Sequence, residues 1–332
     1  MNLKSNYLGL ELSHPLMPGA SPLSADRDAV RRLEDAGASA VVLPSLFEEQ
    51  IEHEESASAR YLDAHEYSTA EAATFAPSLT RDVFRLGPEE YLEHLRWMKS
   101  SLEVPVIGSL NGTSKGGWLE YAVLMEQAGA DAMELNLYEM ACDPTESGSG
   151  KELHVLDIVK AVKSQVKIPV AVKLSPFYSS LPHFASLLEE AGADGLVLFN
   201  RFYQADVDIE NLEVTRGLQL SDSSELLLRL RWLAVLSASC RGSLAATGGV
   251  HHVHDVIKAV MCGAHAVQVV SALLQQGPLH LATLRAELAT WLEENEYESL
   301  EQMCGSMNLS RCPNPREYER TNYVQILQTW EA

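Results

Sequence analysis

One pattern recurs four times along the chain and leaves few folds open. The segments RRLEDAGASAVVLPS, VLMEQAGADAMELN, LLEEAGADGLVLFN and KAVMCGAHAVQVVS each run from the tail of an amphipathic helix, through Gly-Ala, into a short apolar stretch. Their shared glycines, Gly37, Gly129, Gly192 and Gly263, stand where a helix ends in left-handed geometry, which a residue without a Cβ adopts freely. Between these units lie four more apolar runs, at 15–19, 104–109, 168–174 and 243–246. Two of them open Val104-Pro105-Val106 and Ile168-Pro169-Val170, with proline at a strand's start, where it does no harm. The spacing predicts eight strands alternating with helices, an α/β chain closed as a (β/α)8 TIM barrel. A doubly wound sheet competes, but four similar quarter-units favour closure. The expectation is one barrel domain over residues 1–332, with an insertion at about 45–88 and a C-terminal helical tail at about 295–332.

A barrel of this kind carries its chemistry at the C-terminal ends of the strands and in the loops that follow them. Three of those loops are long. The first, from Pro44 to Pro88, includes EEQIEHEE, whose acidic run from Glu48 to Glu55 reads as a solvated face. The second follows Asn136 through YEMACDPTESGSG, and the third follows Asn200 through RFYQADVDIENLEVTRGLQLSD. Such lengths suggest lids or binding loops. Residues 278–294 form a last helix on the barrel wall and 299–307 a shorter one; beyond them Tyr323, Val324, Ile326 and Leu327 make an apolar edge that docks either on the barrel or on a neighbouring subunit.

Composition removes several classes of function. With 46 acidic against 25 basic residues the formal charge is −21, which repels phosphodiester backbones, so nucleic acid is not an expected partner. No apolar stretch reaches the roughly 18 residues of a membrane span and no signal-peptide core is present, so the expectation is a cytoplasmic protein without membrane contact. The cysteines, Cys142, Cys240, Cys262, Cys304 and Cys312, include no C-x-x-C pair, which argues against a disulfide framework, a zinc site or an internal iron–sulfur relay. His251, His252 and His254 are not spaced i, i+4 on one helical face, so no metal is expected there.

The strand ends carry the polar groups. Asn136 ends the strand Ala132 to Leu135, with Glu134 on the same face; Lys173 ends Val170 to Val172, and Asn200 ends Leu196 to Phe199. Each alone could simply cap its loop. Together they set amide and ammonium donors round one barrel mouth, where a planar heterocycle with several carbonyls could bind. The amides of Gly248 and Gly249, with those of Val270 and Ser271 after the last strand, could converge on a phosphate. A plain strand-to-helix connection has the same residues, so that alternative stays open.

Five stretches, AMELNL at 132–137, VKLSP at 172–176, ATGGV at 246–250, CGAHAVQVVSAL at 262–273 and HPLMPGAS at 14–21, resemble the dihydroorotate dehydrogenase family, which includes the flavin domain of dihydropyrimidine dehydrogenase. The resemblance spans nearly the whole chain and implies an FMN-binding barrel. By position it implies that Ala20 and Ser21 contact the flavin ring, that Asn111 and Asn136 bond ring or ribityl oxygens, and that Lys173 sits at the pyrimidine edge. Gly248, Gly249, Val270 and Ser271 then hold the phosphate, and Asn136 and Asn200 the substrate. A lysine there stabilises negative charge on the reduced ring.

The chain departs from the family where substrate is handled. The family's loop reads Asn-Leu-Ser-Cys-Pro-Asn, with cysteine or serine as base, whereas this chain reads Asn136-Leu137-Tyr138-Glu139-Met140-Ala141-Cys142. Glu139 stands at the base's position and Cys142 is the alternative. Ala141 replaces the loop's second asparagine, the Asn-Ser-x-Gly-Leu-Pro-Asn segment after the second strand is missing, and Leu43 or Pro44 stands where a lysine is common. Arg81 and Arg85 could supply a carboxylate clamp. The resulting expectation is an FMN-dependent dehydrogenase acting on a C–C bond next to a carbonyl in a pyrimidine-like small acid, and the departures bear on whether that acid is dihydroorotate. The alternatives are a non-redox barrel enzyme using Lys173 on a phosphorylated small molecule, and an FMN-binding protein without turnover. A soluble electron acceptor or a partner subunit is implied, and a homodimer is in keeping with the family.

Overall fold

The computed structural model describes residues 1–54, 86–114, 116, 118–137, 139–201, 205–215, 217–319 and 322–329. The short strands β1 (Ser5–Tyr7) and β2 (Leu10–Leu12) form an antiparallel hairpin. The barrel then begins: β3 (Leu16–Pro18), α1 (Arg27–Asp35) and β4 (Val41–Val42), followed by β5 (Leu46–Phe47) at the start of the first long loop. It continues with α2 (Pro88–Ser101), β6 (Val106–Asn111), α3 (Leu119–Gln127), β7 (Ala132–Asn136), α4 (Gly148–Gln165), β8 (Val170–Leu174), α5 (Leu181–Glu190) and β9 (Gly195–Leu198). A second hairpin, β10 (Asp206–Asp208) and β11 (Glu213–Thr215), precedes α6 (Leu226–Leu236). Last come β12 (Ser243–Thr247), α7 (Val253–Met261), β13 (Ala266–Val269), α8 (Ser271–Gln276), α9 (His280–Glu294), α10 (Leu300–Met303) and α11 (Asn322–Leu327).

Eight strands run parallel in the order β3, β13, β12, β9, β8, β7, β6, β4, so the expected (β/α)8 barrel is what forms. The remaining gap, between β3 and β4, is bridged by Ser39, whose amide (3.2 Å) and hydroxyl (2.7 Å) both donate to the Leu16 carbonyl. Because the strands are covered on both sides, successive residues alternate between two apolar shells. Met133, Leu135, Val170 and Val172 face the helices, while Ala132, Ala171, Ala245 and Ala266 face the axis. These small inward side chains leave room for Tyr7, Leu8 and Leu12 of the first hairpin, which plug the barrel from below.

The four repeats share one hydrogen-bond pattern. Gly37, Gly129, Gly192 and Gly263 all have positive φ, from 86° to 112°. Their amides donate to Glu34, Glu126, Glu189 and Val260, and the next residues' amides reach Leu33, Met125, Leu188 and Ala259. That is the double bond that closes a helix on a left-handed residue. The residue after each Gly-Ala then ties down the neighbouring strand. Asp131 accepts from Val106 N (2.7 Å) and Lys99 Nζ (2.6 Å), Asp194 from Val170 N (2.8 Å) and Lys163 Nζ (2.7 Å), and His265 Nδ1 from Leu244 N (3.0 Å).

Several boundaries differ from those the sequence predicts. The run expected at 104–109 forms its strand at 106–111, because Pro105 has no N–H for the ladder and pairing with β5 extends the far end. Glu48 belongs to no solvated face: it is buried at the start of a helical stretch, 48–54, and accepts from Thr113 N at 2.7 Å and from the Ser114 hydroxyl. Burial works against its charge, but these bonds outweigh that and hold its carboxyl below the usual range. Most of the insertion expected at about 45–88, with Arg81 and Arg85, lies outside the described residues, as does Tyr138. No helix among the described residues is long and apolar enough to cross a membrane.

Candidate functional site

The register of the sheet aligns three of the expected residues. Asn111 pairs with Asn136, and Asn136 pairs with Lys173, so β6, β7 and β8 present them as one row at the C-terminal mouth. Asn136 and Lys173 are buried, Asn111 half-buried. Beneath that row Glu134 is 1% exposed, and its two oxygens take one donor each: Lys173 Nζ at 2.8 Å on Oε1 and Gln268 Nε2 at 2.5 Å on Oε2. Its charge is felt below as well, since burial first and the Glu134 carboxylate second hold the Tyr7 phenol well above its ordinary range.

Among the described residues, two acceptors around this mouth have no donor. Asn136 Oδ1 and Gln268 Oε1 are buried and unpartnered. A Cβ built on Gly19 would lie 3.0 Å from Gln268 Oε1, which places that oxygen beside the end of β3, next to Ala20. Ala20 is half-buried, and Ser21 is buried and caps a 3-10 turn, with its carbonyl taking both Ser24 N (3.1 Å) and Ser24 Oγ (3.0 Å).

Across the mouth, Gly248 and Gly249 turn with φ of 84° and 78°. The Gly249 amide donates to Ser221 Oγ at 3.2 Å, and that hydroxyl donates to Ser271 Oγ at 2.9 Å, which also accepts from Ser221 N at 3.1 Å. The Gly249 amide after β12 and the Ser271 hydroxyl at the start of α8 thus meet at the Ser221 hydroxyl, with Val270 immediately before the helix. Asp255 braces it by accepting from His251 N and His252 N, each at 3.0 Å, and from Ser223 Oγ at 2.7 Å. Among the described residues no group of three or more His, Cys, Asp or Glu could hold a metal ion.

Asn200 follows β9, its amide bonded to Leu174 O at 2.8 Å, and it lines a cleft of about 770 Å³ together with Phe199, Arg201, Glu225 and Arg229. Arg229 is buried and donates to Thr247 O at 2.6 Å. Glu139 and Cys142 lie on an exposed loop; Glu139 Oε1 is 2.5 Å from Lys151 Nζ, which Glu146 also meets at 2.5 Å. The row of Asn111, Asn136 and Lys173 and the Gly249 and Ser271 pair are each brought together, whereas Glu139 is engaged at the surface.

Sequence reading missed Gln268 and Ser221. Gln268 had a signal, being a polar residue two positions from Ala266 on the inward face of a buried strand. Ser221 had none, since nothing in a polar loop marks the one hydroxyl that folds back into the barrel mouth.

The family model for dihydroorotate dehydrogenase matches residues 85–292. The chain is 29% identical, over 92% of its length and 98% of the relative's, to the dihydroorotate dehydrogenase B (NAD(+)) catalytic subunit of Thermoplasma volcanium. It is 28% identical to the protein of that name from Pyrococcus abyssi, over 91% of this chain and 98% of the other. Against that from Methanocaldococcus jannaschii it is 27% identical, over 91% and 97%.

Proposed function

The chain belongs to the dihydroorotate dehydrogenase family, and from that premise we propose that it is an FMN-dependent oxidoreductase, dihydroorotate dehydrogenase-like, exchanging hydride with a C–C bond next to a carbonyl in a pyrimidine-like small acid. The observation that carries the reading is that Asn136 Oδ1 and, on the opposite side of the barrel, Gln268 Oε1 are buried acceptors with no donor among the described residues, at the same mouth as the Lys173 ammonium. An isoalloxazine offers an N–H and carbonyls on its pyrimidine ring, and so suits a barrel mouth that has buried acceptors and a cation. In this reading Ala20, Ser21, Asn111, Asn136 and Lys173 hold the ring and ribityl chain. Gly248, Gly249, Val270 and Ser271 hold the phosphate, with the Ser221 hydroxyl giving way to it or joining it.

FMN, when bound, supplies a hydride acceptor. The protein's part is to orient and to move a proton. Lys173, paired with Glu134 at 2.8 Å, would face the negative charge that a reduced flavin carries. The same ion pair disfavours the non-redox alternative, in which Lys173 would have to act as a free amine. Asn136 and Asn200 orient the substrate, and the cleft beside Asn200 receives it. The base is assigned to the loop after β7, with Glu139 leaving Lys151 to take the proton and Cys142 as the alternative. A soluble acceptor or a partner subunit in the cytoplasm would take the electrons, in line with the relatives' names, which carry NAD(+) and "catalytic subunit". Association into a homodimer belongs to the same reading and is checked by light scattering.

The test is direct. Denatured protein should release FMN, and anaerobic addition of dihydroorotate or dihydrouracil should bleach it, the faster of the two naming the substrate class. Glu139→Gln should slow that bleaching about 100-fold or more; an unchanged rate moves the role to Cys142. A colourless protein sinks the whole reading.

A further inference from the structure

We propose that Glu134 is a positioning residue that sets the reduction potential of the flavin, by offsetting the charge of Lys173 and by fixing which end of the Gln268 amide faces the ring. The inference rests on the FMN reading above.

Glu134 and Gln268 reach each other across the barrel. In the eight-strand ring β7 and β13 stand four places apart, so the 2.5 Å bond between them spans the interior and ties opposite walls together. A carboxylate accepts and never donates. Gln268 therefore has to offer its NH₂ to Glu134, which turns its carbonyl away, toward Gly19 and the barrel mouth, where it has no donor. Lys173 meets the other oxygen of the same carboxylate at 2.8 Å. One residue thus decides two features of the surface above it: an acceptor at Gln268 and a cation whose charge is largely balanced. A lysine left uncompensated beside the ring would favour the reduced, more negative form; a buried carboxylate in contact with that lysine opposes the preference.

Glu134→Gln keeps the shape and removes the charge. It should keep FMN at one per chain and raise the midpoint potential by at least the equivalent of a tenfold gain in relative affinity for reduced flavin, about 30 mV for a two-electron couple. Lys173→Gln, which removes the opposing charge, should move the potential the other way, and Glu134→Gln added to it should bring it back up. A potential that stays put or falls on Glu134→Gln, or that does not fall on Lys173→Gln, overturns the inference. A second measurement needs no flavin. In Lys173→Gln apoprotein the buried Glu134 carboxylate has lost its cation, which costs stability. Melting temperature should therefore be higher in the Glu134→Gln/Lys173→Gln double variant than in Lys173→Gln alone; no recovery overturns the pairing. Wild-type protein without flavin removes the reading on which this rests, whereas loaded protein whose potential ignores Glu134→Gln removes this inference alone.

Discussion

At Gly249 the demands on a single residue are unusually tight. Its φ is 78°, and a Cβ there would stand 2.4 Å from Leu226 N, a backbone atom at the first residue of α6. Alanine therefore costs about 1 to 2 kcal/mol in left-handed geometry and must also push a helix start away. Its amide is the one that reaches Ser221 Oγ, so the displacement falls on the spot proposed for the phosphate. Gly249→Ala is expected to leave gel filtration with a lower flavin-to-protein ratio than wild type. Gly217→Ala, at a glycine of ordinary φ with nothing within 4 Å of a built Cβ, should match wild type. Equal ratios in both variants would separate the Gly-Gly turn from cofactor binding. Glu139 illustrates the opposite case, in which position in a motif says little about environment: the residue aligned with the family's base sits on the surface, held by Lys151.

Among the elements, the strongest device is the link that follows each repeat's Gly-Ala. Asp194 immediately precedes β9, yet its carboxylate takes the first amide of β8 and the Lys163 ammonium, so one side chain fixes both the register and the α4 end of that unit. Asp194→Ala leaves Val170 N–H without its acceptor in a buried strand and should destabilise the barrel by about 1 to 3 kcal/mol. Asp131→Ala should do the same at Val106, and denaturant midpoints compared at constant slope will show whether the two losses agree. A loss near zero in both would reduce the repeat to a helix cap. The helix ends and strands of these units were legible in the sequence because glycine geometry and apolar runs leave direct marks. The hairpins were not: β1, β2, β10 and β11 have three residues each, too few for a period of two to stand out. The same limit applies to the site. Strand-end residues such as Asn136 and Lys173 could be found by alternation, but the contact of Glu134 with Gln268 joins residues 134 positions apart and needs the closed ring to exist.

For the molecule as a whole, buried imidazoles give stability a definite dependence on pH. His14 is 2% exposed; its Nδ1 accepts from Leu16 N at 3.2 Å, so Nε2 carries the hydrogen given to Gly37 O at 2.7 Å. The neutral ring thereby joins β3 to the first repeat's cap, and burial pulls its pKa from 6.5 down to about 4. Burial lowers His94 and His265 as well. A group whose folded pKa is depressed contributes stability that is complete above its unfolded value and is lost as pH falls through the folded one. For His14 the window runs from about 6.5 to about 4, and at about 1.4 kcal/mol per unit the loss reaches about 3 kcal/mol. The formal charge of −21 acts in the other direction, since protonating carboxylates relieves self-repulsion, but most carboxylates titrate near 4, below most of that window. Between pH 7 and 5 the imidazoles should therefore dominate, and the melting temperature should fall on acidification. His14→Gln, which keeps a donor toward Gly37 without a titrating ring, should start lower at pH 7 and decline less steeply. A melting temperature that rises on acidification, or a variant with the wild-type slope, would mean that charge relief outweighs the buried rings.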